Sequence, residues 1–300
     1  MHVTTQLRRF TSPEFLQFEY SDELLQCVFN ALCECEQIDL HPNNTMLLSL
    51  SDSLGSAEIE GAHTTLSEVM SNVRSTDTEM VRNSLNAMQY LMDNGVSRDT
   101  VHRANSLVLG ATKDGYRKSM VYIGNLVRVV HTPAPVEMIP ELMDDFYQYS
   151  LENKILDSIV KHFYFVYVHP YIDGNGRTAR AIQRTLLTDR WLPIAKAISC
   201  HTSGYYKSLQ ESERSNDISD FVEYMLYRLL DACTMYKLFK NRLTDEQGYL
   251  LSKIDHNGGG EISVRKATEI LGPDAQKTIK ALCRKGFLKE VTGAYRLVWR

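Results

Sequence analysis

The sequence contains no apolar run near the roughly 18 residues that a membrane-crossing helix needs, which excludes a helical membrane protein. It also lacks paired cysteines. Cys27, Cys33, Cys35, Cys200, Cys233 and Cys283 are scattered, with no CxxC, so a disulfide framework or sulfur-ligated zinc site is not expected. Without a GxxxxGK[ST] segment the chain is not a P-loop NTPase. Charge of one sign is missing too: 33 basic against 37 acidic residues leave a net −4, too balanced for wholesale attraction to nucleic acid or membrane. No repeat or low-complexity tract is present. Behind Arg8 and Arg9 there is no apolar block, so no signal peptide is expected and a cytoplasmic location is the expectation. What is present is ordinary: 300 residues, enough for one large domain or two modest ones with a buried core.

The pattern is mainly α. Apolar residues at three- and four-residue spacings predict helices over 13–38, 79–93, 98–111, 137–151, 153–168, 177–190, 204–213 and 217–240. Tyr116–Pro135 differs. Val121, Tyr122, Ile123, Leu126, Val127, Val129 and Val130 favour β structure, and Gly124-Asn125 offers a hairpin turn. Pro133 and Pro135 then delay the next helix.

The last 57 residues read as a second unit. A helix from Thr244 to about Lys253 precedes a turn at Asp255–Gly260. Helices over 263–271 and 274–285 follow, with Gly272-Pro273 as a stop between them. After Gly286, Phe287–Val291 and Tyr295–Trp299 make a hairpin around Thr292-Gly293. Three helices and a terminal hairpin form a winged-helix pattern. Residues 244–300 carry a net +3 and residues 1–243 a net −7, by count of charged side chains. The third helix, with Lys277, Lys280, Arg284 and Lys285, can enter a major groove or serve as a protein-docking or packing unit.

Chemistry concentrates in residues 169–180, His-Pro-Tyr-Ile-Asp-Gly-Asn-Gly-Arg-Thr-Ala-Arg. Gly174 and Gly176 permit close backbone approach. The helix beginning near Arg177 turns its free N–H groups and positive dipole end toward this loop, which makes an anion site suited to phosphate. Arg177 and Arg180, three residues apart, add two cations with bidentate geometry. Asp173 supplies a hard oxygen for Mg²⁺. His169, with a near-neutral pKa, can take a proton from an attacking hydroxyl. A calcium loop starting at Asp173 fails at its fifth, sixth and twelfth positions, occupied by Arg177, Thr178 and Arg184; one starting at Asp255 has Gly259 and Lys266 at its fifth and twelfth. Neither is expected to bind calcium.

The segment resembles the Fic family motif, His-Pro-Phe-x-(Asp/Glu)-Gly-Asn-Gly-Arg-x-x-Arg, with Tyr171 in place of Phe. His162, Phe165 and Val168 also fit the helix before that motif, and the resemblance covers roughly 51–235. It implies a helical bundle with a β-hairpin flap over 98–240 and transfer of AMP from Mg-ATP to a Ser, Thr or Tyr hydroxyl of a protein. His169 would be the base, and Asp173 would hold Mg²⁺. Gly174, Asn175 and Gly176 would form the anion nest, with Asn175 on the α-phosphate and Thr178 in the same binding segment. Arg177 and Arg180 would steer the β- and γ-phosphates. The flap, 116–135, would align a target protein, or the chain itself, by strand addition. Tyr205-Tyr206 resembles an aromatic pair beside the nucleotide base.

Ser56-Ala57-Glu58-Ile59-Glu60-Gly61 on its own reads as a capped acidic helix. It resembles the family's inhibitory motif, (Ser/Thr)-x-x-x-Glu-(Gly/Asn), and assigns 1–97 to an N-terminal region in which Glu60 pairs with Arg180 and occupies the γ-phosphate site. Transfer of another nucleotide moiety, removal of AMP with Glu60 orienting water, and a nucleotide-sensing regulator whose winged helix binds DNA are the alternatives. His41, His63, His131 and His201 show no constellation and read as packing or surface histidines.

Overall fold

The computed structural model describes residues 1–40, 42–71, 73–112, 115–124, 129–215, 217–240, 244, 247, 250, 261–285, 288–291 and 293–297. The chain opens with an antiparallel hairpin, β1 (His2–Arg8) and β2 (Phe15–Glu19), pairing Val3 with Phe18 and Thr4 with Gln17. The helix expected over 13–38 is therefore shorter than its apolar spacing suggests. Buried Leu16 and Phe18 alternate with outward Phe15, Gln17 and Glu19, a period of two that suits a strand. Helix α1 (Asp22–Glu36) starts only after Ser21, whose hydroxyl accepts from the Leu24 N–H.

Helices α2 (Pro42–Ile59), α3 (Leu66–Met70), α4 (Thr76–Asn94) and α5 (Arg98–Leu109) follow. Thr65, Ser75 and Ser97 cap the last three through reciprocal side-chain and backbone bonds. The β segment reduces to β3 (Ile123–Gly124) and β4 (Val129–His131), antiparallel, with Ile123 opposite His131. Asn125, Leu126 and Val127 of the expected hairpin lie outside the described residues. A 3-10 turn at Val136–Met138 leads into α6 (Ile139–Gln148), then α7 (Lys154–Val168), α8 (Asn175–Leu187), α9 (Ile194–Ser199), α10 (Thr202–Arg214) and α11 (Ser219–Lys240).

Helix α7 is the axis of the bundle. From Ile155 to Val168 every residue except Val166 is buried. Such a helix is apolar on all sides because it has neighbours on all sides, here α6, α8 and α11. Helix α2 packs on α4 and α9 and passes over α8, which brings its C-terminal end to the motif loop.

The C-terminal elements are β5 (Glu261–Ile262), α12 (Val264–Leu271), α13 (Ala275–Arg284), β6 (Leu288–Val291) and β7 (Ala294–Leu297), in an antiparallel sheet of order β5-β7-β6. Gly272-Pro273 begins a 3-10 turn joining the two helices. Of the helix expected over 244–253 only Thr244, Gln247 and Leu250 are described; the turn at 255–260, Gly286, Phe287, Thr292 and Trp299 fall outside. The core of this unit, Ile262, Ala267, Ala275, Ile279, Leu282 and Leu288, runs on into Leu47 of α2 and Met70 of α3. Among the described residues no helix is long and apolar enough to cross a membrane.

Candidate active site

The site is built where α7 ends and α8 begins. His169 closes α7 in the left-handed region at φ 55°, the one non-glycine residue with positive φ among those described. That conformation costs a residue with a Cβ roughly 1–2 kcal/mol, so bonds around it must hold it. The His169 N–H donates to Phe165 O at 3.0 Å, and Nδ1 lies 3.3 Å from Val166 O. Arg117, 3% exposed, donates Nε to the His169 carbonyl at 2.9 Å and its backbone N–H to the Pro170 carbonyl at 2.9 Å. Its other guanidinium nitrogens reach the carbonyls of Ser119 and Ala134, so one buried cation ties both stems of the flap to the loop.

Helix α8 begins at Asn175 behind Gly174, which is left-handed at φ 79°. A Cβ on Gly174 would sit 2.9 Å from Asn105 Nδ2 and 3.0 Å from a Val108 methyl, so sterics as well as φ require glycine there. Asn175 is buried, and its side chain braces the loop: Oδ1 accepts from the Tyr171 N–H at 2.9 Å and Nδ2 donates to the Tyr171 carbonyl at 2.8 Å. In this state the amide is committed to Tyr171 rather than free for a phosphate. Thr178 is fully buried, its hydroxyl accepting from Asn105 Nδ2 at 3.2 Å. That places its side chain in the support of the loop. The Tyr171 hydroxyl finds its partner in His102 Nδ1 at 2.7 Å.

The two arginines differ in their environments. Arg177 donates to Val108 O at 3.1 Å and lies 3.7 Å from Asp173, while its Nε has no protein partner. Burial pulls its pKa below the ordinary value. Arg180 is enclosed by the end of α2. Its Nε donates to Ser56 Oγ at 3.0 Å, and Nη2 donates to Ser56 O at 3.0 Å and to Glu60 Oε1 at 2.6 Å. Burial works against its charge, yet Glu60, Tyr205 and Tyr206 together outweigh burial and raise its pKa. Ser56 is thus no N-cap, as its sequence context suggested. It lies in the last turn of α2, where the helix C-terminal end is turned on the arginine. Glu60 follows that end, and its Oε1 lies 2.6 Å from where a Gly176 Cβ would stand. A carboxylate therefore rests on the first turn of α8, in the place an anion would take.

An open cleft of about 180 Å³ lies before this pair, walled by His169, Gly176, Arg180, Tyr205, Tyr206 and Glu213 among others. Burial, reinforced by the charge of His131, pushes the His169 pKa down to about 4, so the imidazole is neutral at pH 7. Asp173 is open to solvent, its side chain 66% exposed, with Oδ1 accepting the Gly174 N–H at 2.6 Å. Tyr205 is buried, and its hydroxyl donates to His162 Nε2 at 2.9 Å. His162, its pKa pushed to about 3 by burial, donates Nδ1–H to Gln183 at 2.5 Å. Tyr206 is half exposed, and its hydroxyl donates to Ile59 O at 2.9 Å, which ties α10 to the end of α2.

Three residues of the site have no signal in the motif: Asn105, Arg117 and Glu213. His131 needs correction. It is buried against Glu213 and the Tyr167 carbonyl, with its ring 6.3 Å from that of His169. A partner 82 residues away leaves no local sequence pattern to find. His63 and His201 are exposed, as expected, and His41 lies outside the described residues.

The arrangement defines a class before any single relative does. A Fic family protein from Desulfovibrio desulfuricans G20 superposes with a TM-score of 0.67 at 23% identity, covering 94% of this chain and 98% of that one. Fic-1 of C. elegans gives 0.57 at 19% identity, covering 72% of this chain and 71% of that one. The fold is that of Fic proteins. Residues 95–187 match the Fic/DOC family itself, so the chain carries a Fic domain. Proteins named protein adenylyltransferase Fic are similar over this part: that of Aedes aegypti is 31% identical over 116 residues, 37% of this chain and 22% of that protein. That of Nematostella vectensis is 30% identical over 146 residues, 43% of this chain and 33% of that protein. The chain thus spans a third or less of the length of these relatives.

Proposed function

We propose that this chain is a Fic-type protein adenylyltransferase that moves AMP from Mg-ATP to a Ser, Thr or Tyr hydroxyl of a protein and is restrained by its own Glu60. The observation that carries this reading is the Glu60 carboxylate lying on the first turn of α8 and paired with Arg180 at 2.6 Å. A site built for phosphate holds an internal anion in its place. The similarity to proteins named protein adenylyltransferase Fic supports the choice of AMP.

In this reading the target hydroxyl attacks the α-phosphorus, the bond to the β-phosphate oxygen breaks, and pyrophosphate leaves. The hydroxyl proton goes to His169 Nε2, the acceptor nitrogen when Nδ1–H faces Val166 O. The backbone N–H groups at the start of α8 stabilise the charge that builds on the α-phosphate, an oriented-dipole effect that is commonly the largest catalytic contribution. Arg177, with Nε unpartnered, takes up the β-phosphate. Arg180 takes the γ-phosphate once Glu60 has left. The donor set fits Mg²⁺: Asp173 is an exposed hard oxygen beside the anion site, and one protein carboxylate suits an ion that binds through phosphate oxygens and water. When bound there the ion neutralises phosphate charge. The flap at 116–135 receives the target segment by strand addition, and residues 244–300 act as a winged-helix-like accessory unit.

The test is intact-protein mass and calorimetry on Glu60→Gly and on Glu60→Gly/His169→Ala with Mg-ATP. We expect an added adenylyl group, on the chain itself or on an offered protein, only where His169 is present, with nucleotide binding retained in both. Loss of binding along with transfer in the double variant would make His169 structural, and no transfer in either would contradict the reading.

A further inference from the structure

The stems of the flap grip the backbone around His169 from two sides. Arg117 holds the carbonyls of His169 and Pro170. On the other stem His131, the last residue of β4, lies 7% exposed with Nε2 3.0 Å from the carbonyl of Tyr167 in the final turn of α7. Its Nδ1 meets the carboxylate of Glu213 in the final turn of α10. Carbonyl and carboxylate oxygens only accept, so both contacts are satisfied together when both ring nitrogens carry protons. The ring is thus set between two acceptors at the C-terminal end of α7, where the helix dipole favours donors and positive charge. Arg9 holds the other side of this junction, donating to the carbonyls of Glu213 and Ser215 at 3.2 and 3.0 Å.

We propose that His131, fixed by Glu213, is a positioning residue for the transfer reaction: it joins the flap to α10 and clamps the end of α7 that presents His169. The proposal rests on the reading of His169 as the base. A clamp at Tyr167 restrains the residue two places before a left-handed histidine whose conformation depends on its surroundings. A proton on His131 also opposes protonation of the base, second only to burial in its effect. The other charged or titratable groups around His169 are Arg117 before β3, Asp173 in the loop, Glu60 behind α2, Tyr167 of α7, Arg180 of α8, and Tyr205, Tyr206 and Glu213 of α10. Of these, Arg117 acts in the same direction as His131 and Asp173 opposes it.

Transfer is measured in the Glu60→Gly background with His131→Gln, Glu213→Gln and both together. Each single change is expected to lower kcat/KM by about tenfold to a hundredfold, the scale of a misplaced reacting group. The double change should cost little more than either, because the two residues act as one unit. With His131→Gln the acid limb of kcat/KM moves to higher pH, and His131→Lys, which keeps a cation, moves it back. Titration of the His169 ring by NMR in the nucleotide-free protein is a readout independent of turnover, and it should show His169 protonating at higher pH in His131→Gln. An unmoved His169 titration overturns the proposal, whether kcat/KM is unchanged or falls additively, since packing alone then explains the pair. An inactive Glu60→Gly parent would count against adenylyl transfer instead, while the His169 titration would still decide the role of His131.

Discussion

At the scale of the residue, the motif shows which side chains gather but not which way each one faces. His169, Arg180 and Gly176 meet in the cleft, as their spacing on a loop and a helix N-terminus suggests. Asn175 and Thr178 stand in the same stretch yet turn inward, one to the Tyr171 main chain and the other to Asn105. The difference is set by Gly174, whose left-handed turn rotates the start of α8, and no one-dimensional spacing encodes that rotation. Burial has a consequence for pH. The base must be neutral to accept a proton, and burial lowers its pKa from the ordinary 6.5 to about 4. In Glu60→Gly, kcat/KM should therefore stay level as pH falls through 6.5 and decline only near pH 4. A decline centred near 6.5 would mean that His169 is solvated during catalysis.

Among the elements, α2 is the longest helix that apolar periodicity missed, beside the short α3 and α9. It buries Asn44, Ser49, Asp52, Ser53 and Ser56 along with Leu47, Leu48, Leu54 and Ala57, so its pattern has no clean stripe. Asp52 and Ser56 lie inside where α9 and Arg180 of α8 meet them. Asp52 accepts the Lys196 N–H at 3.1 Å, and burial raises its pKa to about 6, with Arg184 and then Arg180 among the groups pulling the other way. Its protonated form is thus the one the fold prefers, and that preference is lost as pH rises through about 6. Helices α2 and α9 touch closely at Gly55, where a Cβ would stand 2.5 Å from Lys196 Cα, a backbone atom that cannot swing aside. Gly55→Ala is expected to displace α2, lower stability by about 1–3 kcal/mol as overpacking does, and raise transfer in the otherwise unaltered chain. Thermal unfolding and the rate of AMP incorporation check both parts. Unchanged transfer with a lowered melting temperature would show that α2 can shift without loosening Glu60.

Over the whole molecule, the helical bundle and its loop were legible because α4, α5 and α7 carry side-chain caps and Gly174 marks the start of α8. The N-terminal hairpin was not, because the short alternation of Phe15–Glu19 sits beside a longer helical pattern. Long-range contacts then assemble parts that sequence keeps separate. Arg8 pairs with Glu141 and Asp145 of α6, Arg9 holds the end of α10, and the C-terminal core continues into Leu47 of α2. Helix α2 therefore has the C-terminal unit at one end and the Glu60–Arg180 pair at the other. In the proposed mechanism this pair keeps the γ-phosphate site filled. It is tested most directly by comparing initial rates of AMP transfer from saturating Mg-ATP for the unaltered chain and Glu60→Gly. Freeing one charge-assisted contact from the phosphate site should raise the rate by at least about tenfold, corresponding to roughly 1.4 kcal/mol. Equal rates for the two proteins would mean that Glu60 does not restrain transfer.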